Sequence, residues 1–246
     1  KLVRERITTR LQPLLALGEG VDAKAGTEDA LPAPARGIAH QLLENFVSLD
    51  RAAVPLPANI GSLVRALKGF GIWFGRRSIY LPKMLRPDAA NLLALLWGVW
   101  TKQKRLYTPP LAGLTSFFND GNLPAAFLAA AGFRAVGRRA IRLDMLERLE
   151  EELEKGAAAG VNAETLLPKL VSLIGSGNDE LREVLSKLGW NIVEVADNGN
   201  GVTHVWRKQV APAPRREQRK PKKPREFVVE VRPDSPFAGL AALIRK

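Results

Sequence analysis

The sequence predicts a mostly α-helical α+β protein: a helical core with short β-hairpins, in which a helix–hairpin unit repeats and one copy is winged-helix-like. Three observations carry this expectation. Apolar residues recur at helical spacing over most of the chain, whereas alternating stretches are short. Two Gly-Arg-Arg turns, Gly75 to Arg77 and Gly137 to Arg139, lie between short strand patterns, and each follows a helix ending in Gly-Phe, at Gly69-Phe70 and Gly132-Phe133. Residues Ala163 to Arg207 run helix, short turn, helix and hairpin, the order of a winged-helix module.

In chain order, Lys1 to Leu17 places Leu2, Val3, Ile7, Leu11, Leu14 and Leu15 near a helical period, and Pro13 is expected to end or kink that helix. Gly18 to Pro34, rich in Gly, Ala, Pro and acidic residues, reads as an exposed loop. Ala35 to Leu49 sets Ile38, Leu42, Leu43 and Phe46 on one stripe, with His40 off it and no neighbouring acid or nucleophile to make that histidine catalytic. After Val54-Pro55-Leu56-Pro57, Asn59 or Ser62 can cap a helix running to Lys68.

Gly71 to Tyr107 is the most apolar stretch. Ile72, Trp73 and Phe74 form a strand pattern, the first Gly-Arg-Arg turn follows, and Ser78 to Leu81 returns. Pro87-Asp88 then opens a helix expected to be buried over more than half its girth, the central core helix. It is too short and too interrupted to span a bilayer, which takes about 20 apolar residues. Thr108-Pro109-Pro110 forces an extended connection, Leu111 to Phe118 is a short apolar segment closed by Asn119-Asp120-Gly121, and Pro124 to Ala131 reads as a short helix.

Asp144 to Gly156 reads as a solvent-faced acidic helix with Asp144 as its cap and Gly156 as its stop. Ala163 to Ile174 and Asp179 to Leu188 are two further helices, and Asn198-Gly199-Asn200-Gly201 turns the last hairpin. The aligned helix-end, Gly-Phe and hairpin patterns suggest two copies of one unit and a looser third beginning at Leu185. The expected organisation is a helical accessory domain with Gly-Arg-Arg hairpins (1–160), a winged-helix-like module (161–207), a disordered basic linker (208–226) and a C-terminal docking tail (227–246).

Composition narrows the function classes. A net charge of +12 and a pI near 10.3 favour a polyanionic partner, nucleic acid before an anionic membrane surface. Half of that excess lies in residues 208–226, where eight Lys or Arg face two Glu. Such a tract neutralises several phosphates with a steep salt dependence, or serves only as a solubilising spacer. No cysteine is present, which excludes disulfides and thiolate metal sites and fits a reducing, cytoplasmic compartment. The chain opens at Lys1 without a signal-peptide pattern, so it is expected to be a fragment of a longer protein. No phosphate-binding Gly-x-x-x-x-Gly-Lys-Ser/Thr loop, dinucleotide fingerprint, His-Glu-x-x-His or Gly-x-Ser-x-Gly occurs, so neither catalysis nor a bound cofactor is expected of this chain alone.

Several stretches resemble one family: GRRSIYLPKMLRPDAANLLALLW, RLYTPPLAGLTSF, AAGFRAVGRRAIRLDMLERLE and DSPFAGLAAL. They are similar to the C-terminal region of bacterial superfamily-two helicases, related to the mitochondrial RNA-degradosome helicase. The more specific elements are Tyr80-Leu81-Pro82 before the helix at Arg86-Pro87, and Asp234-Ser235-Pro236-Phe237-Ala238. The resemblance implies a parent enzyme that uses ATP and magnesium to unwind RNA or DNA, with its motor domains before Lys1. Their ATP-binding motifs have no counterpart here, so no catalytic residue carries over.

On this reading the chain would hold the strand leaving the motor. Arg76, Arg77, Arg138, Arg139 and Arg142 sit at the hairpins, where guanidinium groups reach phosphates or stack on bases, a solvated face being the alternative. Trp73, Tyr80 and Tyr107 offer stacking surfaces if exposed, and pack the core otherwise. Lys102, Lys104 and Arg105 either contact nucleic acid or complement the dipole of the preceding helix. In the linker, Arg215, Arg216, Arg219, Lys220, Lys222 and Lys223 are the phosphate-binding candidates. The expected partners are RNA or DNA, single strands above duplexes, the motor domains, and a ribonuclease; no membrane partner and no metal site are expected. The rival readings are a winged-helix DNA-binding regulator and a docking platform for a ribonuclease or ribosomal partner.

Overall fold

A computed structural model describes residues 2–23, 31–57, 60–104, 106–196 and 202–209. The first part comprises α1 (Leu2–Asp22), α2 (Ala33–Glu44), β1 (Ser48–Asp50), α3 (Ile60–Gly69), β2 (Trp73–Phe74), β3 (Ser78–Tyr80) and α4 (Pro87–Trp100). Then come β4 (Ser116–Phe118), α5 (Ala125–Ala130), β5 (Phe133–Val136), β6 (Arg139–Arg142), α6 (Leu143–Ala158), α7 (Ala163–Ile174), α8 (Asn178–Lys187), β7 (Trp190–Ala196) and β8 (Val202–Lys208). The fold is mostly helical with small antiparallel sheets of two or three strands, as the spacing predicts.

The repeat is visible in the backbone. Before each hairpin a helix ends at a glycine in the left-handed region, Gly71 (φ 78°), Gly132 (φ 81°) and Gly189 (φ 85°), a conformation that carries no Cβ penalty only in glycine. The second strand of each hairpin also pairs with an upstream segment. β1 pairs with β3 through Leu49 and Ile79, β4 with β6 through Phe117 and Ala140, and Asn162 bridges Val205 of β8.

Several elements differ from expectation for packing reasons. α1 passes through Pro13 and runs to Asp22, because its apolar stripe keeps packing beyond the proline: Leu11, Leu17 and Gly20 are buried. A Cβ on Gly20 would lie 2.5 Å from the Phe70 ring, so glycine there permits a close approach that a loop would not need. α2 stops at Glu44, and β1 occupies residues first read as helix. The turn between them holds Phe46 and Val47 at positive φ, and the Val47 N–H donates to the Leu42 carbonyl at 2.7 Å.

Three apolar clusters organise the body. The first joins α1, α2, α3, β3 and Leu93 of α4. The second joins α6, α7, α8, Trp190 and Trp206. The third packs Ala94 and Trp97 of α4 against Phe127, Leu128 and Phe133, with Trp97 and Phe127 ring centres 5.7 Å apart. The second cluster takes Leu146, Leu149 and Leu153 from α6 as well as the helices after residue 161, so a boundary at 160/161 would cut one core. α6 is therefore no solvent-faced helix: Glu147 and Glu150 are buried, and Gly156 lies inside it, where a Cβ would meet Leu166 at 2.7 Å. α4, expected to be buried over more than half its girth, buries Ala90, Leu93, Ala94 and Trp97 and leaves Leu95, Leu96, Val99 and Trp100 exposed. The residues expected to form the linker beyond Gln209 and the docking tail lie outside the described residues. No described helix is long and apolar enough to cross a membrane.

Candidate nucleic-acid interface

In each Gly-Arg-Arg turn the second arginine, Arg77 or Arg139, is turned toward the protein, while the first, Arg76 or Arg138, reaches solvent. At the first turn, Glu147 of α6 accepts from the backbone N–H groups of Arg76, Arg77 and Ser78, the latter two at 3.0 Å. A Cβ at Gly75 would overlap that carboxylate, which explains the glycine. Glu150, one helical step along, is fully buried and accepts from the Arg77 guanidinium, from Trp190 Nε1 at 3.2 Å and from Lys208 Nζ at 2.7 Å. Burial pushes its pKa up, but the hydrogen bonds from Lys208 and Arg77 outweigh that and hold it below the usual carboxylate range. Arg77 also donates to the Leu188 carbonyl at 2.5 Å, and Arg76 pairs with Glu154 at 2.5 Å. A single buried carboxylate thus ties the first hairpin to the last one.

The second turn repeats the arrangement on α8. Arg138 pairs with Glu183 at 2.9 Å, and Arg139 pairs with Glu180 at 2.7 Å. The buried Arg139 also donates to Ser116 Oγ at 2.6 Å and to the Gly175 carbonyl at 3.0 Å. The Gly177 N–H, then Arg139, hold the pKa of Glu180 down. In each case the turn of one unit is gripped by glutamates on a helix further along the chain.

These contacts correct the expected phosphate contacts residue by residue. Arg77 and Arg139 are internal ion-pair residues, and Arg142 is held by Asp144 at 2.7 Å with its side chain 22% exposed. Tyr80 is 4% exposed, so its ring offers no stacking face, and burial raises its hydroxyl pKa. Tyr107 is half-buried against Phe127, ring centres 5.2 Å apart. Arg76 and Arg138 reach solvent but are paired with Glu154 and Glu183. Trp73, 51% exposed, is open, and so are Lys102 and Lys104. Arg105, Arg215, Arg216, Arg219, Lys220, Lys222 and Lys223 lie outside the described residues. His40, expected to have no neighbouring acid, does meet one: Glu44, one helical turn along, lies at 3.5 Å on the exposed surface of α2.

The open cations of α3 belong to no motif of the sequence. Arg65 and Lys68 are exposed three residues apart on its outer face, the helix carries no acid, and β2 with Trp73 packs beside it. A signal for this was present in the charges. Residues 1–104 hold 15 Lys or Arg and 8 Asp or Glu, whereas residues 105–209 hold 12 and 13. The surplus of the folded part belongs to its first half. Among the described residues no group of three or more His, Cys, Asp or Glu could hold a metal ion. No family model, curated protein or solved structure matches this chain.

Proposed function

We propose that this chain is a nucleic-acid-binding accessory region of an ATP-dependent RNA or DNA helicase and guides the unwound single strand. The observation that carries the binding half of this reading is the open face of the first unit: Arg65 and Lys68 on α3, with the exposed Trp73 on the adjoining strand. Cations there neutralise phosphates and an indole stacks on any base, the combination that suits sequence-independent single strands. The basic stretch 210–226, without Lys208, which β8 holds against Glu150, adds a second sequence-independent contact. The helicase half rests on the resemblance of the quoted segments. ATP and magnesium belong, in this reading, to the motor domains of the parent; the sequence has no phosphate loop, the described residues hold no metal cluster, and no step of this chain runs through either group. The cytoplasm is the location that goes with this proposal, on the absence of cysteine.

The winged-helix regulator fares less well on the same geometry. α8, the helix that would enter a groove, carries Asp179, Glu180 and Glu183, and two of these already hold Arg139 and Arg138. The test is binding of the full chain to fluorescent single-stranded and duplex RNA and DNA across a salt series. Sequence-independent single-strand binding that weakens in Arg65→Glu/Lys68→Glu and in Trp73→Ala supports the proposal. Binding confined to one duplex sequence, or unchanged by all three substitutions and lost with residues 210–226, overturns it.

A further inference from the structure

α4 has two apolar faces, and only one is used. Ala90, Leu93, Ala94 and Trp97 are buried, while on the opposite side Leu95 (42% exposed), Leu96 (38%), Val99 (67%) and Trp100 (79%) form a stripe at i, i+1, i+4 and i+5. Leu106, also exposed, lies against Gly98 of the same helix, where a Cβ would come within 2.7 Å of its Cδ2. Single exposed leucines are ordinary on a protein surface; a continuous stripe over about one and a half helical turns capped by a tryptophan is not. The end of the stripe is unusual too. The Gln103 N–H closes the helix on the Gly98 carbonyl at 3.0 Å, and the residue between, Lys102, stands at φ 51°, a left-handed position normally given to glycine. That turn presents Lys102 and Lys104 to solvent at the tip of the apolar face, and neither has an ion-pair partner among the described residues.

We infer that this face is a docking surface for a partner protein, which lays an amphipathic helix along the stripe with acidic residues placed to meet Lys102 and Lys104. Charge complementarity selects this occupant. The half of the folded part that bears α4 is the cationic one, so a second copy would bring like charge against like. Nucleic acid suits the stripe poorly, since Leu95, Leu96 and Val99 offer phosphates nothing and Trp100 supplies one ring. A helix packed along this apolar face, anchored by tryptophan, fits all the features together. This inference stands independently of the nucleic-acid reading, which involves α3 and β2.

The test uses the full chain and two synthetic helical peptides of about 18 residues, about five turns. Both carry leucines at i, i+3, i+4 and i+7, one with glutamate and the other with lysine on the flanks, and binding is read by fluorescence anisotropy. The glutamate peptide is expected to bind about tenfold tighter or more than the lysine peptide, and Val99→Glu or Trp100→Ala to weaken it about tenfold. Lys102→Glu/Lys104→Glu is expected to abolish the preference, with circular dichroism unchanged in every variant. Three results would overturn the inference. The peptides could bind equally or not at all. The chain could form a dimer by light scattering that Val99→Glu dissolves, which assigns the face to a second copy. Or Trp100→Ala could abolish binding of a single-stranded oligonucleotide while the peptides fail to bind, which assigns it to nucleic acid.

Discussion

α3 and α8 occupy the same place in their units, each leading through a left-handed glycine into a hairpin, yet they face opposite tasks. α3 turns Arg65 and Lys68 to solvent with no acid on the helix, whereas α8 turns Glu180 and Glu183 onto the arginines of the preceding hairpin. The backbone does not decide which helix is open. Two or three side chains on the outward face do, because a carboxylate there recruits a neighbouring turn and a cation leaves the face free for an anionic ligand. The comparison also separates two kinds of arginine that look alike in the sequence, those that hold the units together and those that are available.

The largest effect that would break this picture is at the shared carboxylate. Glu150→Ala leaves Arg77 and Lys208 facing an empty acceptor and is expected to cost about 3–5 kcal/mol of stability, read by urea unfolding. The same group sets an acid limb. Its pKa is lowered in the fold, so its contribution is complete above the ordinary value of 4.5 and is lost as pH falls below that toward the folded value. In Glu150→Gln this part of the pH dependence should vanish. An unfolding curve as steep in acid as that of the unsubstituted chain would show that another group is responsible.

Next in size, Arg139→Ala removes the donor shared by Glu180, Ser116 and the Gly175 carbonyl and should cost about 2–3 kcal/mol. Arg65→Glu/Lys68→Glu should leave stability within about 0.5 kcal/mol while single-strand affinity at low salt falls about tenfold and the salt slope drops by about one. If stability fell instead, α3 would be a second internal joint and the contrast with α8 would fail. The smallest expected effect is at Arg138, whose side chain is 68% exposed: its change to Ala should alter stability by no more than about 0.5 kcal/mol. A loss as large as that of Arg139 would mean that both arginines of the turn are structural.

Much of the fold was legible. Helical spacing, the glycines before the hairpins and the Gly-Arg-Arg turns mark the units, since each reflects a local backbone requirement. The role of the turn arginines was not, because their partners are remote: Arg77 meets Glu150 across 73 residues and Arg139 meets Glu180 across 41. By composition alone the acidic run of α6 is a solvated face. The spacing of Glu147, Glu150 and Glu154 at i, i+3 and i+7 does put them on one stripe beside the buried leucines, which is the pattern of a helix that receives cations at its edge. β1 escaped notice for a different reason. Three residues set one short turn beyond a helix end carry too little alternation to register, and only pairing with β3 defines them as a strand. The outer stripe of α4 was misjudged because hydrophobicity shows that a face seeks cover, while only the fold shows whether this chain supplies it.

The long reach of the first turn also has a consequence in time. The glutamates that receive Arg76 and Arg77 lie about 70 residues later in the chain. At about 5–20 residues per second, a ribosome exposes the first hairpin roughly 4–14 s before α6 exists. During that interval both guanidinium groups are unmatched and available to any polyanion nearby. A piece of the protein ending before α6 would remain permanently in that condition, with arginines that are joints in the finished fold behaving as free cations.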